Sequence, residues 1–166
     1  MSFQKILVAI DDSKLCNSVF VQALELAQAN RASLMLFNCL SNEAVAEALV
    51  PMSVEMGLYS EMANTVYEAQ HLAIENQLEE GRSLLQKYCE TATAAGITTE
   101  FNCQIGEPGH LLCEAAQSQG ADLIVLGRRG RKGLTEALLG SVSNYVLHHA
   151  PCSVLVIQTT VESEGG

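Results

Sequence analysis

Two rhythms of apolar residues alternate along this chain. Short, dense apolar stretches bounded by turn-forming residues occur at FQKILVAI (3–10), ASLMLFNCL (32–40), ITTEFNCQI (97–105), ADLIVLG (121–127) and CSVLVIQ (152–158), and each reads as a strand. The second lacks polar alternation, which predicts burial on both faces, as in a parallel sheet. Between the strands the spacing changes to that of a helix. Leu15, Val19, Ala23 and Leu26 mark one face of a helix over Ser13–Asn30, with the DDS segment as its cap. Ile74, Leu78, Leu85, Cys89 and Ala92 mark a second, unusually long helix from about Thr65 to Gly96, a glycine placed as a C-terminal cap. A third helix follows in GEPGHLLCEAAQSQG (106–120), with Pro108 in its first turn and Gly120 beyond its end, and a fourth spans Ser141–His149 before Pro151. The stretch 41–64 fits neither rhythm. With Pro51, Gly57, Met52, Met56 and Met62 it reads as an insertion holding a short helix or a lid, its methionines serving as packing filler.

Strand and helix alternating in this way predict an α/β fold, an open parallel sheet with helices on both faces and right-handed crossovers. A single domain over 1–160 and a frayed polar tail over 161–166 are expected. Ligands of such sheets bind beyond the carboxyl ends of the strands, where the strand order reverses. Two segments carry chemistry at that edge: VAIDDS after the first strand and VLGRRG after the fourth. A reversal between those two strands would bring them together.

Composition narrows the partners. The 166 residues are 48% hydrophobic and 17% charged, with a formal net charge of −10, which excludes a disordered chain and argues against nucleic acid or an anionic membrane as partner. No apolar run is long enough to span a bilayer, and MSFQKILVAI lacks a signal-peptide cleavage site, so a cytoplasmic protein is expected. The six cysteines (Cys16, Cys39, Cys89, Cys103, Cys113 and Cys152) are scattered among apolar neighbours without a CxxC pair, which favours reduced core thiols over a disulfide framework. His71, His110, His148 and His149 have no partner at zinc-ligand spacing.

Against the acidic background, four of the nine basic residues (Arg128, Arg129, Arg131 and Lys132) lie within five positions of one another. They sit inside a glycine pattern: Gly127, two residues, Gly130, nine residues, Gly140, then Ser141. Gly127 would let the backbone leave the strand with free φ, and Gly130 would let main-chain N–H groups approach a phosphate. Gly140 and Ser141 open a helix whose first N–H groups lack intrahelical partners and favour an anion. Ser141 and Ser143 offer hydroxyls, and Arg128 or Arg129 offers countercharge. Each residue alone also fits a plainer role: a turn at Gly127 and Gly130, a bend at Gly140, a cap at Ser141. Together with the local positive charge they point to phosphate binding. The spacing is neither that of a Walker A loop nor that of the dinucleotide fingerprint.

The G-x2-G-x9-G-[ST] pattern resembles the ATP-binding branch of the universal stress proteins. The similarity extends to ILVAIDDS, GEPGHLL, ADLIVLGRRG and GSVSNYVLHHAPCSVLVI, and is weakest over 41–64. It implies a Rossmann-like five-stranded sheet in the order 3-2-1-4-5, a homodimer, and bound ATP or another adenine nucleotide, with Mg2+ held through the phosphates. By position, Asp11 would meet the ribose or a metal-bound phosphate, Ile10 and Leu126 would line the adenine, and Cys39 is a further candidate there. Gly127, Arg129, Gly130, Gly140, Ser141, Val142 and Ser143 would hold phosphates, several through backbone N–H. Asp11 and Asp12 could each instead cap the first helix, a role that suits Asp12 better. In the implied strand order CSVLVIQ is an apolar edge strand, so the dimer is expected through Cys152 to Gln158. The expected function is a nucleotide-dependent regulatory switch in the stress response, acting on an unidentified protein partner, and not an enzyme: no general base is paired with a nucleophile. Slow ATP hydrolysis or self-phosphorylation stays open, an adenylyl-transferring or ATP-pyrophosphatase enzyme is the alternative, and a structural dimer that binds no nucleotide is a third reading, which the intact glycine pattern disfavours. The missing serine- and glycine-rich loop after the first strand argues against that alternative.

Overall fold

A computed structural model describes residues 2–49, 60–128 and 139–158. The strands are β1 (Lys5–Ala9), β2 (Ser33–Leu40), β3 (Thr99–Ile105), β4 (Leu123–Gly127) and β5 (Ser153–Ile157), all paired in parallel in the order β3-β2-β1-β4-β5. The helices are α1 (Cys16–Asn30), α2 (Asn42–Leu49), α3 (Ser60–Ala94), α4 (Pro108–Gln119) and α5 (Ser141–His149). This is the Rossmann-like order expected. The central strand β1 explains its apolar density: Ile6, Leu7 and Val8 are fully buried, alternately on opposite faces. On one face Ile6, Val8 and Ile10 pack with α1 and α3 through Val19, Phe20, Ala23 and Leu85. On the other, Leu7, Phe37, Ile124 and Leu126 pack with α4 and α5 through Leu112, Ala116 and Val146.

The helix on β1 and the helix before β4 therefore lie on opposite sides of the sheet. The chain winds outward in one direction from β1 and in the other from β4, which makes the β1–β4 pair the reversal point, with a crevice at its carboxyl end. Asp122 closes the opposite edge, its carboxylate accepting from the N–H groups of Gln4 (2.8 Å) and Lys5 (3.3 Å).

Two helix starts differ from the sequence reading. Helix α1 begins at Cys16, and its N-cap Leu15 makes no side-chain capping bond. Asp11 rather than Asp12 turns the chain there: its carboxylate accepts the Ser13 N–H at 2.9 Å, a local turn that precedes the helix. Helix α3 starts at Ser60, inside the stretch read as an insertion, and that stretch also holds α2. Its 35 residues extend about 52 Å, twice the length of any strand here. The half that packs on the sheet begins near Gly81, with Leu85 and Ala92 fully buried, so the first half projects past the carboxyl edge, in contact with α2. Gly96 and Gly120, both at positive φ (83° and 65°), end α3 and α4 as the sequence suggested, whereas α1 ends on a left-handed Arg31 at φ 59°. All six thiols are free of disulfides. Cys16 alone is fully buried, the other five being half-buried.

Candidate functional site

The carboxyl end of β1 has nowhere to continue: its ladder with β2 closes with the Ile10 N–H donating to Phe37 O at 2.8 Å, and the chain turns away at Asp11. Beside it, β4 ends at Gly127, its ladder with β5 running one bond further, the Arg128 N–H donating to Ile157 O at 2.9 Å. At the ends of these two strands lies an open cleft. Its walls come from both faces of the sheet: Leu15 and Val19 of α1 on one side, Pro108 and Leu112 of α4 with Val142 and Ser143 of α5 on the other.

Of the residues singled out in the sequence, Ile10, Asp11, Cys39, Leu126, Gly127, Val142 and Ser143 all line this one cleft. Gly140 and Ser141 stand at the α5 N-terminus just behind Val142. Arg129 and Gly130 lie outside the described residues. Arg128, which does line the cleft, brings positive charge to its rim.

Local geometry assigns each of these residues a physical task. Gly127 is needed for space and not for φ, which corrects the expectation above: a Cβ there would stand 2.8 Å from Leu15 Cδ2 and 3.1 Å from Val19 Cγ2, so α1 packs directly on the end of β4. Gly140 rather than Ser141 is the α5 N-cap, and no side chain caps the helix. The first intrahelical bond runs from the Asn144 N–H to Gly140 O, which leaves the Ser141, Val142 and Ser143 N–H groups without intrahelical acceptors. Ser143 is almost fully buried, and its hydroxyl donates to Gly127 O at 3.2 Å. Its proton is thus spent on joining α5 to β4. Burial pushes the Cys39 thiol up to about 11, with Cys103 and Glu107 adding to the effect; it is a neutral liner whose S–H points to Gly106 O at 3.5 Å.

A floor of apolar side chains, one carboxylate at the lip of β1, and a helix N-terminus facing across it suit a ligand with an apolar ring, hydroxyls and an anionic end. The comparisons with known proteins bear on the same point. The universal stress protein family profile matches residues 2–158, and universal stress protein Sll1388 of Synechocystis is 39% identical over 158 residues, 95% of this chain and 99% of that one. The chain belongs to the universal stress protein family.

Two solved structures of universal stress proteins have the same fold. One, from Archaeoglobus fulgidus in complex with dAMP, is 19% identical with a TM-score of 0.62, over 95% of this chain and all (100%) of that one. The other, from Arabidopsis thaliana with AMP bound, is 19% identical with a TM-score of 0.59, over 95% and 93% of the two chains. Within this universal stress protein, sequence reasoning missed Phe37, Leu112 and Pro108 as cleft residues. Pro108 was visible in GEPGHLL as a helix start but carried no ligand signal. Phe37 and Leu112 look like any other core position until the strand order sets them beside β1. No described helix is long and apolar enough to cross a membrane.

Proposed function

We propose that this universal stress protein binds ATP or another adenine nucleotide in the cleft between β1 and β4. It acts as a homodimeric, nucleotide-dependent regulatory switch of the stress response in the cytoplasm. The observation that carries this reading is the convergence of Ile10, Asp11, Cys39, Leu126, Gly127, Val142 and Ser143 on one cleft at the reversal point of the sheet. The AMP and dAMP complexes of structural relatives support the ligand class. In this reading the base lies on the apolar floor of Ile10, Cys39 and Leu126. The ribose hydroxyls donate to Asp11, and the phosphates reach the Ser141–Ser143 N–H groups together with Gly127, Gly130, Gly140 and Arg129. Asp11 offers one carboxylate to a cation, one oxygen of which already accepts the Ser13 N–H. That fits Mg2+ only as an ion carried on phosphate oxygens and water, as magnesium commonly is. The residues described supply binding and orientation, and the reading is of a binding protein rather than a catalyst.

Mass spectrometry of the small molecules released from purified protein, followed by calorimetric titration, tests it. An adenine nucleotide is expected in the released fraction, and micromolar-or-tighter ATP binding in the titration, on the order of 8 kcal/mol. Absence of binding by ATP, ADP, AMP and adenosine would reject it. Arg129→Ala is expected to weaken ATP by about tenfold and adenosine much less, because the lost partner is a phosphate.

A further inference from the structure

The wall of the cleft that carries Asp11 is held by a residue that never reaches the cleft. Asn38 on β2 is one of two buried polar residues in the described core. With β1 ended at Ala9, the Ile10 carbonyl accepts the Asn38 side-chain amide, Nδ2 donating at 2.8 Å. The other end of the same carboxamide is fixed too: Cys103 Sγ on β3 donates to Asn38 Oδ1 at 3.4 Å. An acceptor on one side and a thiol donor on the other leave a single orientation of the amide. Above it lies Gly81 of α3, where a Cβ would stand 2.8 Å from Asn38 Oδ1 and 3.0 Å from Cys103 Sγ. The α3 backbone therefore rests on the carboxamide and shuts out other rotamers.

We infer that Asn38 is a positioning residue for the nucleotide cleft: through the Ile10 carbonyl it fixes the peptide that joins Ile10 to Asp11, and so aims the Asp11 carboxylate. The inference rests on the cleft reading above and adds to it a residue that touches no ligand. The chain of contacts runs from α3 through Gly81 to Asn38, Ile10 and Asp11. Asp11 has its own restraint, the Ser13 N–H, but that bond is local and moves with the turn. Asn38 ties the turn to the sheet.

The test uses adenosine, whose charge is constant over the range needed, with wild type, Asn38→Leu and Asn38→Asp, each checked for folding by circular dichroism. Asn38→Leu removes the donor and is expected to raise the adenosine Kd about tenfold, the equivalent of one hydrogen bond's worth of orientation. Asn38→Asp keeps the shape but sets a carboxylate oxygen against the Ile10 carbonyl at neutral pH, so a similar loss is expected there. A buried carboxyl protonates readily as pH falls and then donates O–H to that carbonyl. Affinity of Asn38→Asp is therefore expected to recover between about pH 7.5 and about pH 5.5, while wild type and Asn38→Leu stay level. A purely structural role would lower the urea midpoint of both variants and leave the adenosine Kd of the folded protein at the wild-type value, which would overturn the inference. A folded Asn38→Asp that binds as wild type at both pH values, or that stays weak at both, overturns the inference and leaves the cleft reading standing. Wild type that binds no adenosine or ATP removes the cleft reading, and this inference with it. If Asn38→Leu does not fold, the pH response of Asn38→Asp decides alone.

Discussion

At Gly127 the core and the cleft compete for the same few ångströms. Leu15 and Val19 already fill the space a side chain would need, and both also line the cleft. Gly127→Val would push α1 outward, and overpacking of this kind costs about 1–3 kcal/mol; urea unfolding should show that loss, with weaker ATP binding in titration. A second residue-scale effect lies where the Tyr88 ring packs tilted against Phe20 (centroids 4.6 Å apart) and shares a hydrogen bond with Cys16. Burial raises the Tyr88 phenol from 10.0 to about 12, with the Cys16 hydrogen bond adding to it, and burial raises Cys16 as well. The fold therefore holds both groups in their protonated form more firmly than the unfolded chain does. Stability is fully kept below the unfolded values, 9.0 for Cys16 and 10.0 for Tyr88, and falls as pH rises from there toward about 12. The urea midpoint should drop over that window, and Tyr88→Phe should flatten the drop; an unchanged slope in the mutant would show that other groups cause it.

Among the elements, α5 matters most, because its N-terminus faces the cleft while its body leans on α4. That lean is close: a Cβ at Gly109 would meet Tyr145 Cδ1 at 2.8 Å and its Cβ and Cγ at 3.0 Å. Those atoms belong to the root of the tyrosine, which cannot swing aside without moving the helix. Gly109→Ala is thus expected to shift α5, cost about 1–3 kcal/mol in unfolding, and weaken ATP although residue 109 does not line the cleft. Wild-type affinity in this variant would show that the α5 N-terminus is not held by the α4 contact. The apolar spacing of α4 and α5 was legible in the sequence, as were Gly96 and Gly120 as helix ends. The Gly109–Tyr145 contact was not, since it joins residues thirty-six apart that only the tertiary fold sets side by side.

For the molecule as a whole, the sheet has two open edges, β3 and β5. Strand β5 offers four half-buried apolar residues, Val154 to Ile157, and is the edge proposed for the homodimer. Because Ile157 O accepts from Arg128 N–H, the main-chain groups of Ile157 face β4, and those of Val156 face outward. Val156→Pro would remove one outward N–H while sparing the β4 ladder, a placement proline tolerates on edge strands. Light scattering after size exclusion should then change from dimer to monomer with the fold kept. A folded variant that remains dimeric would move the interface elsewhere, β3 being the other open edge.

Much of this protein follows from local sequence. Runs such as KILVA and LIVLG demand burial on both faces, helical spacing alternates with them, and that alternation alone leads to a parallel sheet covered on both sides. Family-like glycine spacing and the two strand ends VAIDDS and VLGRRG named Ile10, Asp11, Leu126, Gly127, Val142 and Ser143 among the residues of the cleft, because the motif is contiguous and its residue types are few. Tertiary structure decided what those residues do. Gly127 makes room for α1, Ser143 spends its proton on Gly127, Asp11 instead of Asp12 makes the turn, and Asn38, an ordinary polar residue in an apolar strand, holds the Ile10 carbonyl. Apart from the Asp11 turn, which is local, each of these depends on a contact between segments distant in the chain, and neither periodicity nor a short motif records which distant atom will come within reach.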